Sequence, residues 1–125
     1  NIQTKAADTP PVIKDLNGKE CGQFVRAWLD YNQTTNTIRD SFNIAAVSDE
    51  ATGRMGITLA TAMPSDSYAV SVNSSYTNTG IGNGTSIFAN MTNFDKTTTQ
   101  FGVFTRSYAG TYYDTRRINV IVVGD

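Results

Sequence analysis

The densest run of groups able to recognise another molecule is Tyr108-Ala109-Gly110-Thr111-Tyr112-Tyr113-Asp114-Thr115-Arg116-Arg117. A tyrosine in a loop offers a flat apolar face for the C–H side of a sugar ring and a hydroxyl for hydrogen bonding, with few rotamers to freeze. Asp114 and Arg116 add an acceptor and a donor fork for sugar hydroxyls. Tyr108, Tyr112, Tyr113, Asp114 and Arg116 are therefore candidate ligand-binding residues. Tyr76 joins them as the centre of a polar, glycine-rich stretch from Ser74 to Gly84. The competing reading packs Tyr112 or Tyr113 under the loop or across a subunit interface, and makes Ser74 to Gly84 a solvated hairpin connection.

Catalysis has less to work with. The chain has no histidine, which removes imidazole acid–base work, Ser-His triads and the commonest metal ligand. Two carboxylate pairs are conceivable, Asp30 with Asp40 and Asp49 with Glu50. The second pair is adjacent, so on a strand its members point to opposite faces, whereas glycoside hydrolysis needs two carboxyls flanking one bond. A solvated turn explains Asp49-Glu50 better. No catalytic residue, metal site or cofactor is expected.

Cys21 is the single cysteine and has no internal partner for a disulfide. Asn32, Asn73, Asn83 and Asn90 each begin an Asn-x-Ser/Thr triplet, which a chain rich in Asn, Ser and Thr produces by chance.

The elements that must hold these residues read as strands. Phe24, Arg26, Trp28 and Asp30 alternate with Val25, Ala27, Leu29 and Tyr31, as the two faces of a strand require. Trp28 is expected in the core or at an interface, with Arg26 beside it to pair with Asp30 or reach a neighbouring subunit. Ile38, Phe42, Ile44 and Val47 supply a less regular second strand ending at Asp49. Met55, Ile57 and Leu59 share one face of a third, opposite Gly56 and Thr58. Further strands follow at Tyr68–Val72, Ile87–Met91, Phe101–Arg106 and Ile118–Val123. About six to seven short strands with no helical window predict an antiparallel β-sandwich. Residues 1–18 carry Pro10-Pro11 and lack periodicity, so they read as an extended N-terminal arm, with Asn17-Gly18 a possible hairpin turn and 19–125 the sandwich domain.

Composition agrees. At 125 residues the chain suits one domain, and its polar share is dominated by Thr, Ser, Asn and Gly rather than by helix formers. Ten basic against eleven acidic residues leave a net charge of -1, with no electrostatic footprint for nucleic acid. The longest apolar run, in Ile118 to Val123, is strand-sized, so no membrane insertion is expected. Asn1 in place of an initiator methionine suggests a piece of a longer chain.

Four segments carry a family resemblance: Cys21-Gly22-Gln23-Phe24-Val25-Arg26-Ala27-Trp28-Leu29-Asp30-Tyr31-Asn32, Ile38-Arg39-Asp40-Ser41-Phe42-Asn43, Thr61-Ala62-Met63-Pro64-Ser65-Asp66-Ser67-Tyr68-Ala69-Val70, and Ile118-Asn119-Val120-Ile121-Val122-Val123-Gly124-Asp125. Their order resembles the C-terminal β-sandwich domain of phage tail fibres and related virion proteins, especially those of marine and cyanobacterial phages. Asp30 and Tyr31 stand where relatives usually have Asn and Phe. More distantly, the Ala-Met-Pro turn and the apolar final strand look like the H-type lectins, sugar-binding trimers. The resemblance implies a homotrimer at the virion surface, on a tail fibre or the capsid exterior, contacting other virion proteins and a host cell-surface glycan or receptor. The expected function is thus a non-enzymatic receptor- or glycan-binding tip. The alternative is a structural decoration (cement) protein with no ligand of its own.

Overall fold

A computed structural model of the chain describes residues 2–3, 12–75, 84–89, 93–107 and 109–124. Among them lie eleven strands and no helix: β1 (Ile2–Gln3), β2 (Val12–Lys14), β3 (Glu20–Gly22), β4 (Val25–Asn32), β5 (Thr37–Phe42), β6 (Ile44–Ala51), β7 (Arg54–Leu59), β8 (Ala69–Ser74), β9 (Gly84–Ala89), β10 (Gln100–Ser107) and β11 (Ile118–Val123). The protein is all-β, and every strand pairing is antiparallel.

Two four-stranded sheets, β5-β4-β11-β8 and β6-β7-β10-β9, face each other across the core. Alternation decides what each contributes. Ala27, Leu29 and Tyr31 of β4 and Ile118, Val120 and Val122 of β11 point inward from one sheet. Met55, Ile57 and Leu59 of β7 and Phe101 and Val103 of β10 meet them from the other. Each buried Leu, Ile, Val, Phe or Met among them contributes roughly 1.5–3 kcal/mol relative to exposure. Met63 and Tyr68 close one end of the cluster, where the Tyr68 hydroxyl donates to the Thr97 carbonyl at 2.7 Å and packs edge-on against Phe101.

Two departures from the periodic reading have local causes. The stretch from Ile38 to Asp49 is two strands rather than one, because Asn43 takes a positive φ of 57° and carries the chain from one sheet to the other. Its side chain holds that corner, with Nδ2 donating to the Arg26 carbonyl and Oδ1 accepting from Thr61 N–H at 2.6 Å. Val25 turns outward because a bulge between Val122 and Val123 shifts its register, so the inward set of β4 begins at Ala27.

The facing sheets therefore hold eight strands rather than six or seven. At the N-terminus, β1, β2 and β3 form a small separate sheet. The Asn17-Gly18 turn joins β2 to β3, with Gly18 at φ 79° and Asp15 accepting from the N–H groups of Asn17 and Lys19. This hairpin straddles the boundary drawn between the arm and the sandwich at residues 18 and 19.

Candidate functional site

The segment after β10 is fastened to the sandwich along most of its length. Ser107 N–H donates to the Thr111 carbonyl at 2.8 Å, and Tyr113 N–H donates to the Thr105 carbonyl at 3.2 Å. Thr115 is wholly buried. Its N–H and the Thr105 hydroxyl both donate to Oε1 of the buried Gln33, at 3.0 and 3.2 Å, while its own hydroxyl donates to the Ser75 carbonyl. Paired buried polar groups of this kind stitch one end of the two sheets together, and a missing partner would leave the rest unsatisfied.

This fastening separates the candidate ligand residues. Tyr113 keeps only 6% of its surface, so its ring belongs to the interior. This burial agrees with the competing reading, in which Tyr113 packs under the loop. The Asp114 carboxylate accepts from Gly53 N–H at 2.7 Å. Gly53 sits at φ 65°, where a Cβ would drive into the Thr105 carbonyl, so only glycine lets the β6–β7 turn approach this closely. Asp114 is thus a latch between two loops. Arg116 is exposed, and its carbonyl accepts from Arg39 Nη2 at 2.8 Å. Tyr108 and Tyr76 lie outside the described residues.

Tyr112 takes the opposite course from its neighbour. Its backbone forms an isolated antiparallel β-bridge with Arg106 of β10, and its side chain stays half-buried. Phe104 meets it edge-on with centroids 5.6 Å apart. Arg54, the register partner of Phe104, places its guanidinium 4.4 Å from the Tyr112 centroid and 5.6 Å from that of Phe104. The platform Tyr112–Phe104–Arg54 therefore rests on two neighbouring strands and the fastened loop. Further along β7, Phe94 covers Gly56, filling the space a side chain would need.

Sequence reading missed Arg54 and Phe104. Outward alternation in β7 and β10 was the available signal, but only the register brings the two opposite each other. Chemically, the platform combines aromatic surface with cationic hydrogen-bond donors, which suits polyhydroxylated or anionic groups.

Burial, followed by the carboxylates of Asp49 and Asp114, pushes the phenol of Tyr31 upward in the same region. The Asp49–Glu50 pair lies on β6, where Asp49 accepts from Asn36 Nδ2 at 2.8 Å and Glu50 from the Ser48 hydroxyl.

The other carboxylate pair does come together, since Asp30 of β4 and Asp40 of β5 are register partners. Asp30 meets Arg117 Nε at 3.3 Å and Arg39 Nε at 3.9 Å. Arg39 and Arg117, rather than Arg26, are its cationic neighbours. Among the described residues no three of His, Cys, Asp and Glu gather as metal ligands, and no helix is long and apolar enough to cross a membrane. Comparison with protein-family models, curated proteins and solved structures gave no match for this chain.

Proposed function

We propose that the chain is a non-enzymatic virion surface protein, the receptor- or glycan-binding tip of a phage tail fibre, assembled as a homotrimer. The four resembling segments support the virion assignment, and they coincide with β4, β5, the turn into β8, and β11. The platform of Tyr112, Phe104 and Arg54 is the observation that carries the binding role. A sugar ring would stack its C–H face on Tyr112 while Arg54 donates to ring hydroxyls or to a carboxylate. Phe104 and Arg54 stand on paired strands and Tyr112 on the fastened loop, so little of the platform's geometry has to be ordered on binding.

Binding of the purified protein to host cells and to immobilised glycans tests this reading. A stacked aromatic contributes on the order of 1 kcal/mol, so Tyr112→Ala should weaken binding about fivefold while Tyr112→Phe retains most of it. Arg54→Ala should weaken binding in the same direction. Unchanged binding by Tyr112→Ala and Arg54→Ala would remove the platform from the proposal.

The decoration-protein reading is favoured by a different observation, the enlistment of Tyr113, Asp114 and Thr115 in the fold. That leaves a small recognition surface on one sheet and a broader apolar one on the outer face of the other. On this reading, attachment to the particle is indifferent to Tyr112→Ala.

A further inference from the structure

The outer face of the β5-β4-β11-β8 sheet carries an apolar stripe that the other described residues leave exposed. The register aligns Phe42 with Trp28 and Trp28 with Ile121 across three neighbouring strands, and Val123 with Val25 further along. Exposure is 54% for Phe42, 45% for Val25, 44% for Ile121, 37% for Val123 and 36% for Trp28. A strand with one wet face alternates apolar and polar residues. β11 instead reads Ile-Asn-Val-Ile-Val-Val, apolar on both faces over its second half, the pattern of a sheet covered on both sides.

Size and charge bear on what could cover it. With aromatic side chains at 150–250 Å² each and aliphatic ones smaller, the five exposed fractions sum to about 400 Å² of apolar surface, the size of the largest patch on a typical monomer (~300–600 Å²), which is often functional. Four strands about 4.8 Å apart and six to eight residues long span roughly 20 by 25 Å, a flat area of about 500 Å², so a standard interface of ~800 Å² per partner takes in the polar rim as well.

The next row is polar, running Asp40, Asp30, Asn119, Asn73 across the four strands. Arg39 and Arg117 are drawn onto Asp30. A rim carrying both signs selects neither a strongly acidic nor a strongly basic partner. It is complementary to itself, because a rotated copy brings guanidinium groups against carboxylates.

We propose that this face is where copies of the chain meet, with Trp28 and Ile121 at the centre of the contact. The inference rests on the oligomer in the proposed function and assigns its contact, which that reading leaves open. Around a three-fold axis three such faces converge, and the exposed rings and branched side chains interdigitate there; a two-fold pairing of the same faces gives a dimer instead.

Trp28 is the only tryptophan in the chain, so its fluorescence reports on this face alone. Sedimentation equilibrium of the full chain, with Trp28 emission and iodide quenching measured at the same concentrations, is the test. The expected result is a mass above the 13.6 kDa of one chain, with quenching that falls several-fold as the oligomer forms. Ile121→Lys should return a monomer with an accessible Trp28, and Ile121→Thr, which keeps a β-branched residue on the strand, should weaken association in case the lysine variant fails to fold. Leu16→Lys, at a fully exposed position outside the face, should change nothing.

A mass of two chains with Trp28 protected supports the face and refutes the trimer. A monomer at every concentration with Trp28 open to iodide overturns the inference, as does an oligomer in which Trp28 remains quenchable. Protection of Trp28 in a monomer overturns it too, by showing that the chain covers this face itself. Glycan and cell binding by Tyr112→Ala is read on the other sheet, so failure of one proposal is distinguishable from failure of the other.

Discussion

Replacing Asp114 separates a latch from a ligand contact. Its carboxylate accepts from Gly53 N–H at 2.7 Å, and Gly53 is buried where water cannot replace a lost acceptor. Hydrogen bonds to charged groups contribute about 1.5–3 kcal/mol net, and an orphaned buried N–H adds its desolvation cost, so Asp114→Ala should destabilise the fold by about 2 kcal/mol. For a domain of this size that corresponds to a fall of roughly 8 °C in Tm. Asp114→Asn keeps an oxygen acceptor without the charge and should lose about half as much. Arg116→Ala, at an exposed position, should stay within about 0.5 kcal/mol. Urea titration followed by circular dichroism measures all three, with an unchanged m value confirming that the same cooperative unit unfolds. A loss below about 0.5 kcal/mol for Asp114→Ala, accompanied by loss of glycan binding, would refute the latch and return the carboxylate to the ligand site.

Two further perturbations probe the framework. Asn43→Ala should cost about 3 kcal/mol, since it strains the positive φ and removes the side-chain bonds to Arg26 and Thr61. Asn43→Gly restores the backbone freedom and should recover about a third to a half of that in urea midpoints, so equal losses would show that φ is not the cause. Burial, with Asp66 behind it, pushes the Tyr68 phenol up to about 12. Below about pH 10 the phenol is neutral in folded and unfolded chains alike and its contribution is intact, whereas between about 10 and 12 the unfolded chain ionises first and stability falls. The urea midpoint should decline through that window, and Tyr68→Phe should flatten the decline. An equal decline in both would place the titrating group elsewhere.

Local alternation made most of the architecture legible in the amino-acid sequence. Ala27, Leu29 and Tyr31, Met55, Ile57 and Leu59, and Phe101 and Val103 point inward as period-two spacing requires, because a strand sends successive side chains to opposite faces whatever its neighbours are. The same local rule announced β11 at its observed bounds, and the absence of helical periodicity announced an all-β chain. It failed where one residue bends the backbone, as at Asn43, or where a bulge shifts the register, as beside Val25, since neither leaves a periodic trace.

The two proposed surfaces were another matter. Tyr112 and Tyr113 are adjacent and chemically alike, and only the closing of Gly53 against Asp114, 61 residues away, buries the second while the first meets Phe104 and Arg54. Phe42, Trp28 and Ile121 become one stripe only when three strands align. Side-chain direction along a strand is a local property of the chain, but which side chains stand next to each other across strands depends on register, and register is settled only when the whole core packs.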